Sequence, residues 1–276
     1  MFESISISIE LVKQSFEVLR KDREMLLYPV AAGISVLLLF ALLFIPVIFL
    51  IIAAFPASPV AAYLVLAGFI AFAFTSYFLV IYFNAGLVAS ASIRLSGRNP
   101  SFMDGIRIAS KNAKKLFIWA IINGTVGIVI SSLERSRGLA RIVAGMLDIG
   151  WNLATFLIIP VILFEKQGSL GSIRRSGLLF RKTWGENIVG RVSLGIIFGL
   201  LFVIGIIPIF LSAFSGSLAA FASVAALVMI YWLFLLIAYS CLNGIYVAML
   251  YSYARSGKMP APFDAETVRK SFRSKY

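Results

Sequence analysis

From Met25 to Ile93, and again from Val192 to Ala254, the chain carries no Asp, Glu, Lys or Arg. A bilayer-spanning helix needs about 20 apolar residues. Each tract therefore predicts two spans and a tight turn. Two further apolar stretches lie between them. The pattern thus predicts six spans, at residues 29–53, 61–93, 116–133, 142–164, 188–213 and 219–253. Turn chemistry marks the tips: Phe55-Pro56-Ala57-Ser58-Pro59, Glu134-Arg135-Ser136-Arg137-Gly138 and Ser215-Gly216-Ser217. The second and sixth spans exceed what a bilayer requires, so they should tilt or extend past its surface.

The segments between the spans have a helical period. Phe2, Ile5, Ile9, Val12, Phe16 and Leu19 share one face. Phe102, Ile106, Ala109, Ala113 and Leu116 share another, and Leu170, Ile173, Gly177, Phe180 and Trp184 a third. A shorter fourth copy holds Ala261, Ala265, Val268 and Phe272. These read as amphipathic helices lying in a headgroup layer, apolar side inward. The basic residues around them are the lipid-headgroup candidates: Arg107, Lys111, Lys114, Lys115, Arg174, Arg175, Arg181 and Lys182.

Short echoes link these segments. Val12-Lys13-Gln14-Ser15, Ile173-Arg174-Arg175-Ser176 and Val268-Arg269-Lys270-Ser271 share an apolar-basic-x-Ser pattern. Ser96-Gly97-Arg98-Asn99-Pro100 matches Ser256-Gly257-Lys258-Met259-Pro260, and Ile45-Pro46 matches Ile207-Pro208. The expectation is one integral membrane domain over 1–276, built from parallel repeats. Residues 1–93 form the first repeat, 101–164 the middle one and 169–253 the last, with a basic tail at 254–276. The expected fold class is all-α: a polytopic bundle of six spans with cytoplasmic amphipathic helices.

Charge then gives orientation. Of 25 basic residues, all but Arg135, Arg137 and Arg141 fall in the N-terminal segment, in 94–115, in 166–191 or in 255–276. The positive-inside rule places both termini and the long loops in the cytoplasm. The first segment mixes acidic and basic residues without a short apolar core, so the first span is expected to act as an uncleaved anchor rather than a signal peptide. A net charge of +13 on a chain that is 61% hydrophobic points to anionic lipid headgroups as partners, not nucleic acid.

Histidine is absent and Cys241 is the one cysteine. That excludes an internal disulfide, a His- or Cys-based metal site and a Ser-His-Asp triad. No phosphate-binding glycine loop, HExxH or G-x-S-x-G occurs. No enzyme activity and no cofactor are expected. Cys241 reads as a small buried hydrophobe.

Asp148 is the one acidic residue within the apolar part of a span. Asn152 and Thr155 follow it on one helical face, and Arg141 stands two turns earlier. An ionised side chain in the bilayer costs at least about 2.5–3.5 kcal/mol, so it faces protein or water. Asp148 is either the ion site of a permeation path or one half of an ion pair with Arg141, Arg137 or Arg135. Asn123, Asn84 and Asn243 are further path candidates, or hydrogen-bonding links between helices. Gly195 and Gly199 make a small-xxx-small face for helix packing, within the chain or between copies in a homo-oligomer.

The series Trp151…Pro160…Glu165-Lys166-Gln167-Gly168…Arg175-Ser176…Thr183-Trp184-Gly185-Glu186 resembles an uncharacterised family of prokaryotic multi-pass membrane proteins. It is more distantly similar to the membrane domain of some glycerophosphodiester phosphodiesterases, without their catalytic domain. The resemblance implies a prokaryotic cell membrane and six spans, and no activity. The leading functional expectation is an oligomeric channel or transporter for a small ion or solute. The alternative is a non-transporting scaffold or anionic-lipid-binding protein.

Overall fold

A computed structural model describes residues 2–54, 59–182, 184–214 and 216–263. Its elements are helical: α1 (Phe2–Lys21), a 3-10 turn (Arg23–Leu26), α2 (Leu27–Ala54), α3 (Pro59–Leu95), α4 (Phe102–Lys111), α5 (Ala113–Glu134), α6 (Leu139–Ala154), α7 (Ile158–Phe164), α8 (Ser169–Lys182), α9 (Trp184–Ala213) and α10 (Leu218–Ser256). Among the described residues six stretches are long and apolar enough to cross a membrane: Arg23–Phe49, Ala62–Leu95, Ala113–Glu134, Leu139–Phe164, Leu194–Ala213 and Leu218–Ser256. The chain is an all-α, multi-pass membrane protein. The predicted turn at 55–58, Ser215 and the fourth copy beyond 263 lie outside the described residues.

Contacts gather into two units. The first comprises Met1–Leu26, Ser90–Pro100 and Leu179–Tyr276; the second comprises Leu27–Ala89 and Ser101–Leu178. In the first unit α9 and α10 form a hairpin, and α1 packs on both. Tyr231 donates its hydroxyl to the Leu201 carbonyl at 2.9 Å, and the Trp232 indole donates to the Phe202 carbonyl at 3.2 Å. Gly205 makes room for these rings. A Cβ there would lie 2.5 Å from Trp232 Nε1 and 3.1 Å from the Tyr231 ring. The buried Cys241 thiol donates to the Met25 carbonyl at 3.4 Å and ties α10 to the 3-10 turn.

In the second unit, Phe40 of α2 meets Phe72 of α3 edge-on at 5.7 Å, and Phe44 meets Phe69 at 6.5 Å. Nearer the other end, buried Tyr28 donates to the Phe102 carbonyl at 2.8 Å and so holds the start of α4. Ser101 caps α4 in a capping box with Asp104, which satisfies two otherwise orphaned N–H groups. α5 packs on α6 and touches α7.

The fourth span is not the single helix predicted over 142–164. It breaks between α6 and α7 at Thr155–Leu157. Pro160 explains the break. A proline has no N–H to offer the carbonyl four residues back, and its ring crowds that carbonyl. Pro160 therefore stands in the first turn of a new helix, where no donor is required. The Leu157 N–H, left outside the helical ladder, donates to Ser176 Oγ of α8 at 3.1 Å in a buried site. Ser169 Oγ donates to the Lys115 carbonyl at 3.0 Å. Gly177 lies close to Ala154, where an added Cβ would meet the Ala154 carbonyl oxygen at 3.8 Å.

Phe180 of the expected face stays buried, while these contacts rotate the buried face of α8 away from Leu170. Its buried positions are Ser169, Ser172, Ser176, Leu179 and Phe180, while Leu170 is 72% exposed. α1 behaves alike: Gln14, Ser15, Val18 and Leu19 are buried and Phe16 is exposed. The polar serine of the shared pattern faces protein, and part of the apolar stripe does not.

The core lies towards one end of the hairpins. In α3, Ala85, Leu87, Val88, Ala89 and Ala91 are buried, whereas Tyr63, Leu66 and Phe69 near its start are exposed. In α10, Cys241–Leu242 and Gly244–Tyr251 are buried, whereas Leu218, Leu227 and Met229 are exposed. α7 is buried along most of its length. In each case the buried end borders a basic segment of the sequence.

Candidate functional site

The polar residues of the fourth span do not form one continuous stripe. Asn152 donates through Nδ2 to Asp148 Oδ1 at 3.0 Å and to the Asp148 carbonyl at 2.9 Å. Asp148 is half-buried and Asn152 exposed. Thr155 is turned away: it is buried, and its hydroxyl donates to the Trp151 carbonyl at 2.7 Å, next to the helix break. The expected ion pair of Asp148 with Arg141, Arg137 or Arg135 is not formed. Ion pairs among the described residues include Arg107–Asp104 and Arg175–Glu165. All three arginines are exposed. One turn of helix between Asp148 and Asn152 is enough for a local bond, and no arginine is needed.

Asn123 joins three helices. Its Oδ1 accepts from the Trp151 indole of α6 at 2.7 Å, and its Nδ2 donates to the Tyr77 hydroxyl of α3. Trp151 also stacks on Trp119 of α5 at 5.9 Å. This network uses the Asn123 amide for helix association, as polar side chains do in lipid. Sequence reasoning found Asn123 but missed Tyr77 and Trp151. Their aromatic character hid the polar group that each contributes. Asn84 in α3 and Asn243 in α10 are half-buried.

The basic candidates divide into engaged and exposed groups. Arg175 Nε donates to both carboxylate oxygens of Glu165, at 3.1 and 2.8 Å. Arg175 thus fixes the end of α7 rather than reaching a headgroup. Its own helix turns inward there because Ser172 and Ser176 do. Arg107 lies 3.6 Å from Asp104 within its own helix, both well exposed. Lys115 is half-buried; Lys111, Lys114, Arg174 and Arg181 are exposed. The Lys182 side chain lies outside the described residues. Lys111 ends α4 and Lys114 opens α5, so these two border the start of the span Ala113–Glu134, while Arg174 and Arg181 stand on the exposed face of α8.

Gly195 and Gly199 do not serve packing among the described residues. A Cβ at either would meet nothing within 4 Å. The glycines that permit close approach are Gly205, against Trp232 and Tyr231, and Gly86, where a Cβ would come within 2.6 Å of the Tyr28 ring. Gly205 belongs to no spaced small-residue motif, whereas Gly86 opens the small-xxx-small stretch Gly86-Leu87-Val88-Ala89-Ser90. Among the described residues no group of three metal-ligating side chains comes together.

A family model for a family of unknown function (DUF6159) matches residues 60–261. No curated protein matches the chain, and no solved structure does.

Proposed function

Because the chain belongs to DUF6159, a family of unknown function, we propose a role from its own residues. It is a multi-pass protein of a prokaryotic cell membrane that engages anionic lipid headgroups on the cytoplasmic leaflet. The reading includes no catalytic step and no cofactor. The observation that carries it is the outward face of α8 and the α4–α5 corner. Lys111 and Lys114 are exposed at the start of the span Ala113–Glu134, and Arg174 and Arg181 are exposed on α8, while the serines of α8 turn inward. Each Lys or Arg near an anionic surface contributes about 1 kcal/mol. The positive-inside count supports the cytoplasmic assignment of these ends.

An internal duplication is part of the same proposal. Its support is that Ser15 of α1 and Ser176 of α8, equivalent in the apolar-basic-x-Ser pattern, are both buried. α3 and α10 also both end on a Ser-Gly pair with the glycine at positive φ. The likeness to the membrane domain of glycerophosphodiester phosphodiesterases is carried no further than the spans.

The test is a lipid-partition measurement on the reconstituted full chain. The probe is spin-labelled phosphatidic acid at trace level in phosphatidylcholine. The variant Lys111→Gln/Lys114→Gln/Arg174→Gln/Arg181→Gln should lose most of the preference for the anionic probe. An unchanged preference overturns the reading.

A second reading, an oligomeric channel or transporter, draws on Asp148 and Asn152. These are accessible polar groups on a span, where lipid alone would solvate them poorly. A second copy that brought them to a water path would relieve that cost. Ion flux in proteoliposomes should then fall in Asp148→Asn; full flux in that variant removes Asp148 from any such path.

A further inference from the structure

Within the first unit a cavity of about 280 Å³ opens where α1 and α3 end and where the chain leaves α10. Its lining combines Lys21, Arg94 and Asn99 with Val18, Leu95, Gly97, Ala261 and Pro262. Among the described residues no acidic side chain lines it. Lys21 lies two residues before the stretch Arg23–Phe49, and Arg94 lies in the last turn of Ala62–Leu95. The cavity is therefore at the membrane boundary, with two cations and an amide on the same wall as apolar carbon.

Local structure fixes this wall. Gly97, at φ +84°, closes α3: its N–H donates to the Arg94 carbonyl at 2.9 Å, and the Arg98 N–H to the Ile93 carbonyl at 3.3 Å. This paired closure turns two N–H groups onto the terminal carbonyls of the helix. Their partial negative charge, about half an elementary charge for a whole helix end, is thereby blunted in the cavity. Asn99 Oδ1 accepts from Arg94 Nη1. That bond holds the guanidinium in place and leaves its other N–H groups to bond elsewhere. One charge competes. Asp22, buried at the end of α1, interacts electrostatically with Arg94.

Resting on the proposed headgroup role, we infer that this cavity is a specific binding site for a phosphate ester. Lys21 and Arg94 take the phosphate oxygens, and Val18, Leu95, Ala261 and Pro262 take the carbon attached to it. Arginine suits this task because its planar fork pairs two oxygens at once. The ester could reach the cavity as a lipid headgroup or as a soluble molecule, and the two have the same chemistry at the wall.

The experiment uses the full chain in phosphatidylcholine nanodiscs. Saturable binding is measured for phosphatidic acid in the disc and, separately, for soluble glycerol 3-phosphate. Lys21→Gln and Arg94→Gln should each weaken saturable binding about fivefold, the effect of one interfacial charge. Asp22→Asn should strengthen it, because the competing charge is removed. Ala261→Trp, which fills the cavity without touching a charge, should abolish it. Binding of the lipid alone identifies a headgroup site, and binding of both identifies a site for the free ester; either supports the inference. Wild-type affinity in folded Lys21→Gln and Ala261→Trp overturns it, whatever becomes of Arg94→Gln. The exposed-cation variant described above separates the two claims. If it loses the general preference for anionic lipid while the cavity variants bind normally, the cavity falls and the broader role stands. If it keeps that preference, the broader role falls.

Discussion

The hairpin α9–α10 and the hairpin of α5 with α6–α7 hold together by different means. In the first, both helices are continuous, and the bonds across it run from aromatic side chains to backbone carbonyls, Tyr231 to Leu201 and Trp232 to Phe202. In the second, Pro160 breaks the returning helix, and side chains from elsewhere repair it. Ser176 accepts from the freed Leu157 N–H, and Asn123 accepts from Trp151. Irregular backbone is tolerated at membrane depth only where protein satisfies its polar groups. The continuous hairpin should therefore be most sensitive to volume, and the broken one to polarity.

The largest effect expected is at Gly205. Gly205→Ala places a methyl group against Trp232 and Tyr231, so both rings must leave their carbonyls. Overpacking of this kind costs about 1–3 kcal/mol, and each lost hydrogen bond about 1 kcal/mol more. Denaturant unfolding followed by Trp232 emission should shift strongly. An unshifted midpoint would mean that α9 and α10 yield more easily than the contacts imply.

Next is Ser176→Ala, which removes the acceptor and adds no volume to a fully buried position. A buried N–H left unpaired costs about 1–3 kcal/mol. The matching change in the other unit, Ser15→Ala, lies within a continuous helix and should not disturb the α6–α7 break. Emission from the Trp119–Trp151 pair should report the first and not the second. Equal losses would erase the distinction between the hairpins.

The smallest effect belongs to Asp22. Burial is the main cause raising its pKa above the usual carboxylate value; the Arg94 charge lowers it, Glu24 raises it again, and a bond from the Glu24 backbone lowers it. An acid with a raised pKa in the folded state favours folding in its protonated form. That contribution is complete below the ordinary pKa of 3.8, and it fades as pH rises through the raised value. Asp22→Asn mimics the protonated form. It should stabilise the first unit modestly at neutral pH and leave it unchanged in acid. A gain of equal size at both pH values would assign the effect to something other than ionisation.

The spans were legible because charge-free tracts of this length have one physical explanation. The break in the fourth was not, since Pro160 lies close enough to Glu165 to pass for a helix terminus. The faces of α1 and α8 depart in part from the periodic pattern for a deeper reason. In water an apolar stripe marks the protein core. Beside lipid it also marks the outside, and helix contacts favour small and hydroxyl-bearing residues. Ser15, Ser172 and Ser176 are buried where periodicity alone pointed to Phe16 and Leu170. The helical spacing that suggests a path from Asp148 to Asn152 serves equally for the local bond that the two make. Tyr28 and Gly86 meet across a long separation in sequence, which no local pattern encodes.

α3 has 37 residues and α10 has 39, or about 55 and 60 Å at 1.5 Å each, against a hydrocarbon layer of about 30 Å. Their surplus falls where the side chains are already enclosed by protein. Ala85–Ala91 of α3 and Gly244–Tyr251 of α10 are thus kept from water by the chain itself, whether or not lipid reaches that far along the rods.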